Sequence, residues 1–318
     1  MIEFYKTIEG KTQKIDTPEK GCWISAISPS QDEIDYLIKV IGVAPEFIHA
    51  SLDEEETSHI DLNEEETQTL VIIDYPNAEE DDSSNENTVL YTTLPLGVVF
   101  MKGYVITICL HDNLTIEDMK AGRIKGVNTA LKTRFLLLML LKIAQRFLVY
   151  LRQIDRVSSR TERTLHKTMR NKDLIQMIGL EKSLVFFSTS LKSDENTLKK
   201  LARGKFLKMY EEDEEILEDV MIEFNQATEM CNIYSNIISS TMDNFSNVIS
   251  NNLNIVMKTL TIITIVMSIP NMIFGYYGMN VTGLPVPNFW FPLVVTTILC
   301  AITTFIFVKK DMFHKKSI

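Results

Sequence analysis

Apolar positions are distributed unevenly along the chain. Two long apolar runs lie close together near its C-terminal end, and the residues before them mix charge with short apolar segments. Residues 259–277 run nineteen positions without a charge, and residues 289–308 run twenty. At about 1.5 Å per residue, a helix over either run is long enough to cross a hydrocarbon layer of about 30 Å. A third apolar stretch, 135–151, is interrupted by Lys142, Gln145 and Arg146. That pattern predicts a helix buried in a folded domain and not a third span.

Upstream, alternating or β-branched runs bounded by turn residues predict strands at 3–7, 14–16, 22–27, 70–73, 88–93, 97–101 and 104–110. Ser30 is placed to cap a helix that starts at Gln31 and stops near Gly42, and Pro45 opens a second short helix reaching Leu52. The stretch from Asn77 through Glu79, Glu80, Asp81 and Asp82 to Ser84 reads as an acidic loop between two strands. From about Asn128 the apolar period becomes helical, predicting helices over 134–169 and 173–191 and a third beginning near Glu195. After Gly204 there is no glycine until Gly275, and no proline until Pro270. Residues 205–276 therefore read as one long helix that continues into the first apolar run.

The expected fold class is an α+β cytoplasmic domain with a long stalk helix and two C-terminal transmembrane helices. The expected divisions are an α/β domain (1–127), a helical region (128–204), the stalk (205–258), a first span (259–277), an outer loop (278–288), a second span (289–308) and a basic tail (309–318). Lys258 precedes the first span, whereas Lys309, Lys310, Lys315 and Lys316 follow the second, and the loop between carries no charge. By the positive-inside tendency both termini are expected in the cytoplasm and the loop outside, in a cell membrane.

Inside the long helix, polar residues recur every three or four positions: Asn236, Ser240, Asp243, Asn247, Asn251, Asn254, Thr261, Thr264, Ser268 and Asn271. Met257 interrupts the series, and Gly275 and Gly278 extend it. Such spacing puts them on one helix face. A polar face inside hydrocarbon needs partners or water. Polar contacts between packed spans would satisfy it. A water-filled pore would also satisfy it, and because one helix cannot enclose a pore, that reading requires a homo-oligomer around a common axis. Asp243 would then repeat as a ring of carboxylates. The neutral oxygens above it suit the water shell of a hydrated divalent ion, and Mg2+ gives up its water reluctantly.

Composition narrows the function. The net charge of −10 argues against a nucleic-acid partner and fits a cation-attracting domain. Cys22, Cys109, Cys231 and Cys300 form no CxxC pair, so a disulfide framework or zinc site is not expected. The first residues lack the basic start and apolar run of a signal peptide. No phosphate-binding glycine loop, HExxH or nucleophile elbow is present, and the five histidines are scattered. An enzyme and an organic cofactor are therefore not expected.

Directly after the first span comes Tyr277-Gly278-Met279-Asn280. This string, in the setting of two C-terminal spans, a basic tail and a long preceding helix, resembles the signature of the CorA family of magnesium transporters. The likeness extends upstream through residues 254–263, NIVMKTLTII, and is specific over about 219–280. The resemblance implies a homopentameric funnel that conducts Mg2+, with cobalt or nickel as secondary ions. It implies that Gly278, Met279 and Asn280 form the outer ion-selecting ring. It further implies that Asn254 and Met257 line the pore and that Asp243 forms an acidic ring. Asp219 would help bind regulatory Mg2+ between subunits, with a partner from the acidic stretch Glu79, Glu80, Asp81 and Asp82. The chain departs from the family pattern twice. Residues 281–287 carry no acid, and Ser268 replaces a bulky apolar residue, which moves an apolar constriction to Met257 and Leu260. A zinc transporter of the same fold and a non-conducting membrane-anchored sensor or scaffold are the alternatives.

Overall fold

The computed structural model describes residues 1–63, 67–80, 89–168, 170–203, 209–280, 283, 286 and 288–309. The chain divides into two compact units, Met1–Thr241 and Met242–Ile318.

The first unit is built on a seven-stranded sheet: β1 (Ile2–Ile8), β2 (Lys11–Ile15), β3 (Cys22–Ile27), β4 (His59–Asn63), β5 (Gln68–Glu80), β6 (Val89–Met101) and β7 (Tyr104–Cys109). Their spatial order is β2-β1-β3-β7-β6-β5-β4. Only β3 and β7 pair in parallel; the remaining pairs are antiparallel. Two points differ from the sequence expectation. Residues 88–93 and 97–101 are not separate strands. β6 is continuous because β5 pairs with it without a break, Asp74 opposite Pro95 and Ile72 opposite Gly97. The acidic stretch is also not wholly a loop, since Asn77, Ala78, Glu79 and Glu80 lie in β5 opposite residues of β6. Asp81 and Asp82 lie outside the described residues.

Alternate residues of each strand serve opposite faces of the sheet. One face carries Cys22, Ile24, Leu70, Ile72, Val99 and Ile106, packed with Phe47 and Ile48. Those two belong to α2 (Pro45–Ser51), which follows α1 (Gln31–Tyr36) and its π-helical extension Leu37–Ile41. Ser30 caps α1 with a reciprocal Glu33 contact, and Gly42 ends the segment at φ 86°, both as the sequence predicts. α2 approaches β6 so closely that a Cβ on Gly97 would lie 1.9 Å from Ser51 Oγ.

The opposite face carries Trp23, whose Nε1 donates to Thr107 Oγ1 at 2.9 Å and whose ring stacks on Tyr5 and Phe135. After α3 (Leu114–Lys120), this face is covered by α4 (Lys132–Thr168) and α5 (Asn171–Ala202). Residues 135–151 lie in α4 and supply Phe135, Leu136, Ile143, Phe147 and Leu151 to the core, confirming a buried helix there. α5 runs past the expected stop at Leu191, so no separate helix begins at Glu195. Lys192, Ser193 and Asp194 continue the helix. Asp194 is fully buried, and its carboxylate accepts from the Asp74 N–H.

α6 (Glu211–Tyr277) is 67 residues long and belongs to both units. It begins six residues later than the expected start at Lys205. Asp213 sets that start: its Oδ2 accepts from the Tyr210 N–H at 3.2 Å and its Oδ1 from Arg134 Nε at 3.3 Å. In the second unit α6 is followed by α7 (Trp290–Lys309), one residue offset from the expected second span.

Candidate functional site

In the second unit the interest lies in how α6 distributes its surface. Ile262 is buried, and Val266, Ile269, Ile273 and Tyr277 are partly covered. These positions mark the face turned toward α7: Cys300 Sγ lies 3.7 Å from the Val266 carbonyl, and the Tyr277 and Phe291 rings are 6.3 Å apart. At about 100° per residue, Thr261, Thr264, Ser268, Asn271 and Gly275 fall on the other side of the helix. All five are exposed, as are Asp243, Asn247, Asn251, Asn254, Met257 and Leu260. The chain's own second span therefore leaves the polar stripe uncovered.

The stripe contains two kinds of polar group. Thr261, Thr264 and Ser268 donate to their own helix, to the carbonyls of Met257 (2.8 Å), Leu260 (2.9 Å) and Thr264 (2.7 Å). The side-chain amides of Asn254 and Asn271 have no partner among the described residues. Asn271 lies in the apolar run 259–277, where an amide without a partner is costly, so it carries the demand for water or for another copy.

At its C-terminal end α6 closes with a tight turn. The Gly278 N–H donates to the Phe274 carbonyl at 2.8 Å, and a Cβ at Gly278 would lie 3.1 Å from that same oxygen. Glycine permits this approach, and Met279 and Asn280 follow with their side chains exposed.

The regulatory candidates lie on different elements. Asp219 is exposed on α6 and makes no ion pair among the described residues. Glu79 and Glu80 stand at the end of β5, a different element. Among the described residues no group of three or more His, Cys, Asp or Glu side chains is arranged to hold a metal. The sequence reading missed one carboxylate pair altogether, Asp74 with Asp194, because 120 residues separate its members.

Comparison with known proteins places these features. The family model described as CorA-like Mg2+ transporter protein matches residues 18–310. The chain belongs to this family. Transport is accordingly its class of function, and the membrane is where that function is carried out. The chain is 29% identical over 301 residues to the cobalt/magnesium transport protein CorA of Methanocaldococcus jannaschii, covering 90% of this chain and 89% of that one. The complete structure of the CorA magnesium transporter from the same organism superposes with a TM-score of 0.81 at 25% identity, over 96% of this chain and 97% of the other. The cytoplasmic domain of ZntB from Vibrio parahaemolyticus gives a TM-score of 0.57 at 10% identity, over 78% and 98%. That last likeness is one of fold alone. In this CorA-type chain the α+β unit, the long helix and the C-terminal apolar helix all match the expected fold class.

Proposed function

We propose that the chain assembles as a homopentamer in the cell membrane and conducts Mg2+ through a pore lined by the polar stripe of α6. The observation that carries this reading is the position of the stripe, on the side of α6 away from α7. A polar seam serving only to glue the two spans of one chain together would face α7. Copies arranged about an axis give the stripe a common aqueous interior, and leave α7 toward the lipid.

In this reading Gly278, Met279 and Asn280 form the outer ring that receives the hydrated ion, and Asn280 presents carbonyl oxygens to its water. Asn271, Ser268, Thr264, Thr261, Asn254, Asn251 and Asn247 carry the ion inward, Met257 and Leu260 form the apolar constriction, and Asp243 supplies a ring of negative charge. Gly275 leaves room near the mouth. Both termini are cytoplasmic. The ion moves down the membrane potential, worth about 2.3 kcal/mol per charge per 100 mV and about twice that for a dication. Cobalt is a secondary ion, in keeping with the name of the cobalt/magnesium transport protein of M. jannaschii. Among the described residues Asp219 makes no ion pair, and hard carboxylate oxygens suit Mg2+. Together with Glu79, Glu80, Asp81 and Asp82 of a neighbouring copy it would bind regulatory Mg2+ and favour the closed assembly.

The test is dye-reported Mg2+ entry into proteoliposomes under an inward-negative potential, with Co2+, Ni2+ and Zn2+ as competitors, alongside the mass of the detergent-solubilised assembly. Flux that disappears in Asn280→Ala, from a particle of five copies, is expected. Unchanged flux in Asn280→Ala, or a monomeric particle that still conducts, would overturn the reading. Asp219→Ala combined with Glu79→Ala and Glu80→Ala is expected to weaken inhibition by Mg2+ on the cytoplasmic side.

A further inference from the structure

Pro270 lies inside α6, within the first span. A residue at that position would ordinarily donate its N–H to the carbonyl four residues earlier, that of Val266. Proline has no N–H, so the Val266 carbonyl loses its helical partner. In hydrocarbon such a group must be satisfied from elsewhere. Cys300 of α7 lies near it, with Sγ 3.7 Å from that oxygen.

The thiol does not follow the pattern of its neighbours. The hydroxyls of Thr259, Thr261, Thr264, Ser268, Thr296 and Thr297 all donate to carbonyls four residues back in their own helix. Cys300 reaches across to the other helix, and to the carbonyl that Pro270 frees. Val266 stands two positions before Ser268 and five before Asn271, so a contact fixed there also fixes the height and rotation of both.

We propose that Cys300 is a positioning residue for the ion pathway: its thiol takes the place of the N–H missing at Pro270 and sets the register of α6 against α7. The consequence for transport rests on the pore reading above; the hydrogen bond itself does not. A single S–H···O contact is weak. It gains leverage here because it falls on the carbonyl that Pro270 deprives of its usual helical donor.

The experiment uses the full-length protein in lipid. An infrared difference spectrum, wild type minus Cys300→Ala, isolates the S–H stretch of Cys300. A band lowered toward the hydrogen-bonded position is expected, and a band at the free-thiol position would overturn the proposal. Thermal unfolding in detergent then gives a double-mutant cycle. Cys300→Ala is expected to lower the melting temperature by about 2 °C, Cys300→Ser to restore it, and the loss to shrink by at least half when Pro270→Ala returns the N–H. Equal losses in both backgrounds would overturn it, as would a serine variant no better than alanine. Mg2+ flux in Cys300→Ala is expected to fall at least twofold and to recover in Cys300→Ser. Coupling in stability with unchanged flux would overturn the positioning role, whereas the pore reading is decided separately by Asn280→Ala.

Discussion

The backbone N–H of Asp74 donates to a carboxylate oxygen of Asp194 at 3.0 Å, tying β5 to α5. The contact lies two residues beyond the last pair of the β4–β5 ladder, His59 with Ile72. A side chain from the covering helix thus supplies an acceptor where the neighbouring strand ends. Both residues are buried, Asp194 completely, and its second oxygen has no partner among the described residues. Burial, and then the charge of Asp74, raise the Asp194 carboxyl well above the usual carboxylate range; burial raises Asp74 as well.

A raised carboxyl makes stability fall with rising pH. The folded chain holds a proton that the unfolded chain releases above about pH 4. The stabilisation is complete below that value and is lost as pH climbs toward the folded pKa of the pair. Asp194→Asn keeps the acceptor for the Asp74 N–H and removes the titration of Asp194, leaving that of Asp74. Thermal unfolding between pH 5 and pH 8 is therefore expected to decline in the wild type and to be flatter in Asp194→Asn. Parallel pH profiles would show that the pair carries no shared proton.

The two kinds of polar group on α6 should respond differently to substitution. Thr264 already spends its hydroxyl hydrogen on the Leu260 carbonyl, so Thr264→Val is expected to reduce Mg2+ flux by less than about threefold. Asn271 has no such bond, and Asn271→Leu is expected to reduce flux at least tenfold, about 1.4 kcal/mol of barrier. Dye-reported entry into proteoliposomes checks both, and equal effects would remove the distinction.

Gly97 tolerates no side chain. A Cβ there would meet Ser51 Oγ at 1.9 Å and Ser51 Cβ at 2.5 Å. Gly97→Ala is expected to destabilise the first unit by about 1–3 kcal/mol through overpacking. Adding Ser51→Gly should recover part of that loss in chemical unfolding monitored by circular dichroism.

Asp213 is nearly fully buried, and serves both the Tyr210 N–H and Arg134. Asp213→Ala removes both acceptors and is expected to cost about 1–3 kcal/mol. Hydrogen exchange at the first turn of α6 should quicken, while the middle of α4 stays protected. Uniform quickening would place the damage elsewhere.

What could be read in advance follows from the range of the interactions involved. The spans, the Ser30 cap, the Gly42 stop and the periodicity of the stripe depend on residues a few positions apart, and sequence carries them directly. α5 continues past the expected stop at Leu191, and Asp194 beyond that point has its partner on a strand far away in the chain. β6 was expected in two pieces, at 88–93 and 97–101, because its continuity depends on its register with β5. On α6 the shared face of the polar stripe was legible from its spacing alone. The side of α6 on which it stands relative to α7 was not, and neither was the match of Cys300 to the carbonyl freed by Pro270, since both require two helices to be seen together.

The self-bonded hydroxyls of Thr261, Thr264 and Ser268 carry one more implication. Each has given its only hydrogen to the backbone and has lone pairs left to offer. Along those rungs the lining can accept hydrogen bonds but cannot donate them. Water around a cation turns its oxygen to the ion and points both hydrogens outward, where these rungs can receive them. In the proposed pore a hydrated dication thus finds acceptors for its water shell at these three rungs, while the free amide of Asn271 can donate as well as accept.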